Sequence, residues 1–225
     1  MLEAVLVVVA YGAYYVVRGL TEGDTASAID NAQTIIDFER WAGTYWVPEM
    51  QEFVLRYDWL TVLFNWVYIW WHWPIIILVA VWLFLHKPTA YRRYRDAFVL
   101  SGAVGLVCFA LFPVAPPRLA DPDIVDTLML RSEEYRAFEA PAFVNQYAAF
   151  PSLHFGWNLL LSLALLLEGR HAALRAIGVL SPGVVLLAIV VTGNHFIIDA
   201  VAGAVLAVLS LLAARRYRLL PDASP

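Results

Sequence analysis

The sequence is poor in charge. Asp, Glu, Lys and Arg make up 15% of its 225 residues, against roughly 25% in an ordinary soluble domain. Hydrophobic residues make up 61%, and the mean hydropathy is +0.67. Such a chain cannot hide its apolar side chains by folding on itself in water, so it reads as a polytopic membrane protein. There is one cysteine, Cys108, set in an apolar run. That excludes an intrachain disulfide and speaks against a redox role. The net charge is −4 with no basic tract, so no nucleic-acid partner is expected. The first apolar run ends in Tyr14-Tyr15-Val16-Val17-Arg18 and lacks a small-residue cleavage site. It reads as a retained span rather than a signal peptide. A His-x-x-x-His pair with an adjacent general-base Glu is also missing, as is any clear internal repeat.

What is present is a series of long apolar runs. Six are expected to cross about 30 Å of hydrocarbon at about 20 residues each: 2–18, 59–85, 97–115, 155–168, 174–192 and 196–214. The fourth is short as drawn and is expected to begin at the Pro151-Ser152 cap. Small residues (Gly102, Gly105, Gly203, Ala207) suit close helix approach. The expected fold is all-α, a six-transmembrane-helix bundle forming a single membrane-embedded domain over 1–225. Between the first two spans, 21–57 has a different character. Ala28, Ile29, Ala32, Ile35 and Ile36 keep helical spacing, with Asp30, Asn31, Gln33 and Asp37 between them. Met50, Phe53, Val54 and Tyr57 repeat the pattern. These stretches read as amphipathic helices lying at the membrane interface, or as a small cap packed on the bundle.

Six spans put both termini on one side. Nine of the fifteen Lys and Arg fall on that side, against four acidic residues, Glu3, Asp96, Glu168 and Asp222. The positive-inside rule then places both termini in the cytoplasm and 19–58, 116–153 and 193–195 outside.

Three outward junctions carry polar residues that no span requires. The third run ends in Pro113-Val114-Ala115-Pro116-Pro117-Arg118-Leu119. The fourth opens with Pro151-Ser152-Leu153-His154. The sixth opens with Gly193-Asn194-His195-Phe196-Ile197-Ile198-Asp199. Each residue has a plain alternative: Arg118 as a snorkelling cation, Ser152 as an N-cap, His154 as an interfacial aromatic. Ionisable groups at membrane depth are nevertheless functional candidates by default. His195 and Asp199 lie one helical turn apart, so the carboxylate can orient the imidazole. A guanidinium grips phosphate oxygens as a fork, helix N-termini favour anions, and a second imidazole can move the leaving-group proton. Together these suit phosphoryl transfer without a metal or other cofactor.

The three motifs resemble those of the type 2 phosphatidic acid phosphatase superfamily, and most of all the branch containing inositol phosphorylceramide synthase. Pro151-Ser152-Leu153-His154 matches the second motif of the family, and His195 with Asp199 matches the third. The resemblance implies His195 as the nucleophile of a phosphohistidine mechanism and Asp199 as its orienting partner. It implies His154 as the acid and base, with Ser152 and Arg118 as phosphate ligands. The implied reaction partners are a membrane lipid phosphate and a water or alcohol acceptor. Two familiar cations are missing: Leu111 stands where the first motif has Lys, and Ile189 where the third has Arg. Arg131 or Arg136 are the candidate substitutes. Leu153 stands where the phosphatases often carry Gly.

Asn65, Tyr68 and His72 follow i, i+3, i+7 spacing in the second run. They are candidates for a headgroup or acceptor site, or for interhelical hydrogen bonds. Asn145 faces a similar choice between loop capping and substrate contact. The acidic loop 116–150 reads as a lid or as a solvated connector. Two other classes stay open: a metal-dependent intramembrane hydrolase using His154, His195 and Asp199, and a non-catalytic lipid binder or transporter.

Overall fold

The computed structural model describes residues 24–131 and 145–217, together with residues 8, 9, 12 and 16. The first expected span, 2–18, thus lies almost wholly outside the described residues. Among the described residues the regular structure is helical: α1 (Thr25–Ala42), α2 (Val47–Leu55), α3 (Asp58–Trp70), α4 (Trp73–His86), α5 (Pro88–Leu111), α6 (Pro117–Ala120), α7 (Thr127–Arg131), α8 (Leu153–Glu168), α9 (Ala172–Val191) and α10 (Ile197–Arg216). The one extended pairing is an isolated bridge between Val114 and Ala148.

Three helices, α5, α9 and α10, are long and apolar enough to cross a membrane. They make this an integral membrane protein. The expected single span over 59–85 is instead broken, with α3 and α4 meeting at a 43° bend. Pro74 explains the break. Its ring lacks an N–H and collides with the carbonyl four residues back, which belongs to Trp70, the last residue of α3. Counted together, α3 and α4 make a fourth span. The expected fourth span, α8, has 16 residues and starts at the Ser152 cap as anticipated.

Helix α8 sits at the centre. Leu153, Trp157, Leu160, Leu161, Ala164 and Leu165 are all buried, in one cluster with residues of α4, α5 and α10. A helix apolar on every side belongs in such a position. Its polar side chains find partners on neighbouring helices. Trp157 donates to Ser101 Oγ at 3.1 Å, and Asn158 and Trp71 both donate to Ser181 Oγ, at 2.9 and 2.8 Å. The tightest approach is to α10. A Cβ on Gly156 would meet the Gly203 carbonyl oxygen at 2.6 Å, and a Cβ on Gly203 would collide with the Ser152 carbonyl. The absence of side chains here sets how near the second and third motifs lie.

Helix α1 is a cap across the end of this bundle at which α8 and α10 begin. Ala28, Ala32, Ile35 and Ile36 bury against Val114, Ala115, Ala149 and Phe196. The backbone joins in: Ala115 N–H donates to the Ala28 carbonyl, and the Asn31 amide donates to the Pro113 carbonyl. Of the two sequence expectations for this segment, the packed cap describes its inner face. The outer side of α1 to α3 shows Phe38, Trp41, Trp46, Phe53, Tyr57 and Trp59 to the surroundings.

Gly203→Ala should cost about 1–3 kcal/mol through overpacking and lower the thermal midpoint of the detergent-solubilised protein. Gly183→Ala, whose added Cβ meets nothing within 4 Å, should leave the midpoint unchanged or slightly raised.

Candidate active site

The N-terminus of α10 carries the third motif. Gly193 turns the chain into it with a φ of +71°. A Cβ there would also press on Ile124 at 2.9 Å and on the Arg118 side chain at 3.2 Å, so glycine is required on both counts. His195 follows, 7% exposed. Its Nδ1 lies 3.0 Å from the Ala149 carbonyl and 3.3 Å from Asp199 Oδ2. Both neighbours accept, so Nδ1 carries the proton in the neutral ring and Nε2 carries the lone pair. The orienting pair expected from the spacing is therefore formed.

Asp199 is fully buried. Its Oδ2 also accepts the Phe196 N–H at 2.9 Å, closing the first turn of α10 as an N3 carboxylate does. Its backbone carbonyl accepts the Ser152 N–H at 2.9 Å. Ser152 is itself buried and caps α8, accepting the Phe155 N–H at 3.2 Å. The Ser152–Asp199 backbone bond, with the Ala149 contact to His195, sews the second motif and its approach to the third.

Arg118 ties in the first motif. Its backbone N–H donates to the Gly193 carbonyl at 3.0 Å. Its guanidinium donates through Nη1 to Asn194 Oδ1 at 2.8 Å and through Nε to Asp126 Oδ2 at 2.9 Å. Arg118 thus reaches the third motif, with a carboxylate already on one edge. Arg136 and the Arg131 side chain lie outside the described residues.

His154 stands one residue inside α8, against the break of the second span. Its ring stacks on His72 (centroids 3.9 Å apart, planes 22° apart) and on Tyr68 (4.5 Å, 17°). Tyr68 and His72 therefore join the second motif. Asn65 is drawn elsewhere: its amide exchanges two hydrogen bonds of 2.7 Å with Thr127, one with the hydroxyl and one with the carbonyl, fastening α7 to α3. Asn145 is buried and accepts the Tyr147 N–H at 2.9 Å in an Asx turn. Among the described residues no group of three or more His, Cys, Asp or Glu is placed to hold a metal ion.

One residue of the site escaped the sequence reading. Glu39, on the cap helix, is completely buried, and its Oε1 accepts the Ile198 N–H of α10 at 2.7 Å. Burial pushes its carboxyl group up to about 7, with the nearby Asp199 charge adding to the rise. The signal was present in the spacing. Ala28, Ala32, Ile35 and Glu39 lie on one helical stripe, so a carboxylate continues an apolar face.

A family model described as the PAP2 superfamily matches residues 33–213, which span all of these groups. The chain belongs to the PAP2 superfamily. A solved structure similar to this PAP2 chain is the crystal structure of Aquifex aeolicus LpxE, at 16% identity and a TM-score of 0.48. The match covers 71% of this chain and 86% of that one. No curated protein matches this member of the superfamily.

Asn194→Ala would leave the Arg118 Nη1 without its acceptor. Losing a hydrogen bond to a charged group costs about 1.5–3 kcal/mol, so a clear drop in the thermal midpoint is expected. Asn194→Asp would keep the acceptor for Arg118 but lose the amide donor to Thr192, so it should lower the midpoint as well.

Proposed function

We propose that the protein is a membrane lipid phosphatase or phosphotransferase working through a phosphohistidine on His195. The observation that carries this reading is the His195–Asp199 pair, with Nδ1 between two acceptors, which puts the ring lone pair on Nε2. Membership of the superfamily supports it. In the first half-reaction Nε2 attacks phosphorus, the bond to the leaving oxygen breaks, and His154 gives that oxygen a proton. In the second, water or an alcohol attacks phosphorus, surrenders its proton to His154, and the P–N bond breaks. Arg118 and the N-terminus of α8 at Ser152 draw the phosphate oxygens. Tyr68 and His72, stacked on His154, form the wall where a headgroup or acceptor would lie.

The resemblance of the motifs to the inositol phosphorylceramide synthase branch favours transfer to a polyol or lipid alcohol over simple hydrolysis. The missing Lys and Arg at positions 111 and 189 point the same way. An apolar groove of about 470 Å³ runs between α2, α3 and the end of α9, lined by Met50, Phe53, Leu60, Leu187 and Val191 among others. It offers a lipid tail a dry wall close in sequence to Gly193. In the membrane we place six spans, both termini in the cytoplasm, the cap helices at the outer interface and the site on the extracytoplasmic side.

His195→Ala should abolish turnover of lipid phosphates by the purified protein, and no acid-labile phosphoenzyme should form. Full turnover in that variant would remove the histidine mechanism. His154→Ala should fall by about 10²–10⁴-fold. Products formed from lipid extracts with and without added polyols separate hydrolysis from transfer. Activity lost to strong chelators would favour a metal-dependent hydrolase instead. A cysteine placed at Ala120 should react with an impermeant reagent from outside, and reaction from the cytoplasmic side alone would reverse the orientation.

A further inference from the structure

Two buried carboxyl groups bind backbone N–H groups of the same first turn of α10, near enough for the charge of Asp199 to act on Glu39, and each has one oxygen unsatisfied. Glu39 Oε2 and Asp199 Oδ1 have no hydrogen-bond partner among the described residues. Their other oxygens are fixed on neighbouring backbone groups, Glu39 Oε1 on Ile198 N–H and Asp199 Oδ2 on Phe196 N–H. The Glu39 backbone is anchored as well. Its own carbonyl accepts the Thr44 and Tyr45 N–H groups, at 2.8 and 3.2 Å, in the turn that ends α1 at Gly43. A buried polar atom without a partner is costly, and two buried carboxylates side by side do not both ionise.

We infer that Glu39 is a positioning residue for the nucleophile pair: in its acid form it supplies a proton to the unsatisfied edge of Asp199, directly or across one water, and so holds the Asp199 carboxylate toward His195. The inference rests on the phosphohistidine reading above. It adds a fourth element to the site, contributed by the cap rather than by any of the three motifs. One proton then belongs to the Glu39–Asp199 pair as a unit.

The other groups facing Glu39 do not replace this proton. Tyr45 donates its hydroxyl to Asp121 Oδ2 at 2.6 Å, and burial together with that carboxylate raises its phenol above the usual range. Arg40 lies over the Tyr45 ring and 4.0 Å from Asp121. His195 is held on Ala149 and on the far oxygen of Asp199. With Glu39 titrating at about 7, the positioning proton is present below neutrality and lost above it. The folded state binds this proton more tightly than the unfolded chain, whose carboxyl titrates near 4.5. Stability from this group is therefore complete below about 4.5 and falls as pH rises to about 7.

The test compares Glu39→Gln and Glu39→Ala in the full chain in detergent, with a short-chain phosphatidate as probe. In the wild type, kcat/KM should decline across an inflection near 7. Glu39→Gln keeps an acceptor for Ile198 and offers an N–H to Asp199 at every pH. It should stay within about threefold of wild type in mild acid and lose that inflection, whereas Glu39→Ala should fall about tenfold or more. A Gln profile superimposable on wild type, or full activity in the Ala variant, would overturn the inference. Difference infrared spectroscopy supplies a readout free of turnover. A protonated-carboxyl band that disappears through neutrality should be present in wild type and absent in Glu39→Gln, and its presence in both would sink the idea. If the wild type turns over no lipid phosphate, or His195→Ala keeps full activity, the phosphohistidine reading fails, and the infrared band still decides whether Glu39 holds the proton.

Discussion

The first turn of α10 must satisfy its backbone N–H groups in a place with little water, and the site is built around how it does so. A helix N-terminus leaves several donors unpaired. Here one goes to Asp199 from within the helix, and another goes to Glu39 from a separate helix. Because Asp199 Oδ2 also lies 3.3 Å from His195 Nδ1, the group that closes the helix is also the one that touches the imidazole. Because Glu39 sits on α1, the cap is fastened to the reactive end of the bundle by an acceptor rather than by apolar contact alone. The backbone carbonyl of Asp199 then receives the Ser152 N–H, which brings in the start of α8. Three elements distant in sequence are thus registered on a single helical turn.

The second imidazole is positioned by different means. His154 is held by ring faces: His72 on the break of the second span and Tyr68 one turn before it. At the Pro74 break residue 72 is the N-cap of α4, and its ring stacks on His154. One histidine is fixed by acceptors at Nδ1 and the other by aromatic packing. On the proposed reading, that difference suits one ring that keeps a single tautomer and another that exchanges protons.

Much of this was legible in the chain. Apolar runs located α5, α8, α9 and α10 to within a few residues at most ends. The exception is the start of α5, which begins at Pro88, about nine residues before the apolar run, because Arg92, Arg93 and Arg95 continue the helix without contributing hydropathy. The spacing of His195 and Asp199 anticipated their contact. The break at Trp71 and His72 was obscured because aromatic and aliphatic residues continue on both sides of it; Pro74 was the clue. Asn65, Tyr68 and His72 looked equivalent on a helical wheel, but only the two rings reach His154; Asn65, on the same helix as Tyr68, is taken up by Thr127 of α7. Glu39 was hidden by its type. A carboxylate is read as a solvated residue until a partner is known, and its partner lies 159 positions away.

Arg118 arrives at the site already bound to an anion. Asp126 holds its Nε edge, and Asn194 takes one of its Nη1 protons. Those two bonds use two of the five N–H donors of the guanidinium, so the cation is already partly neutralised and held in one plane. On the proposed reading, a doubly charged monoester would gain more from such a cation than a singly charged diester.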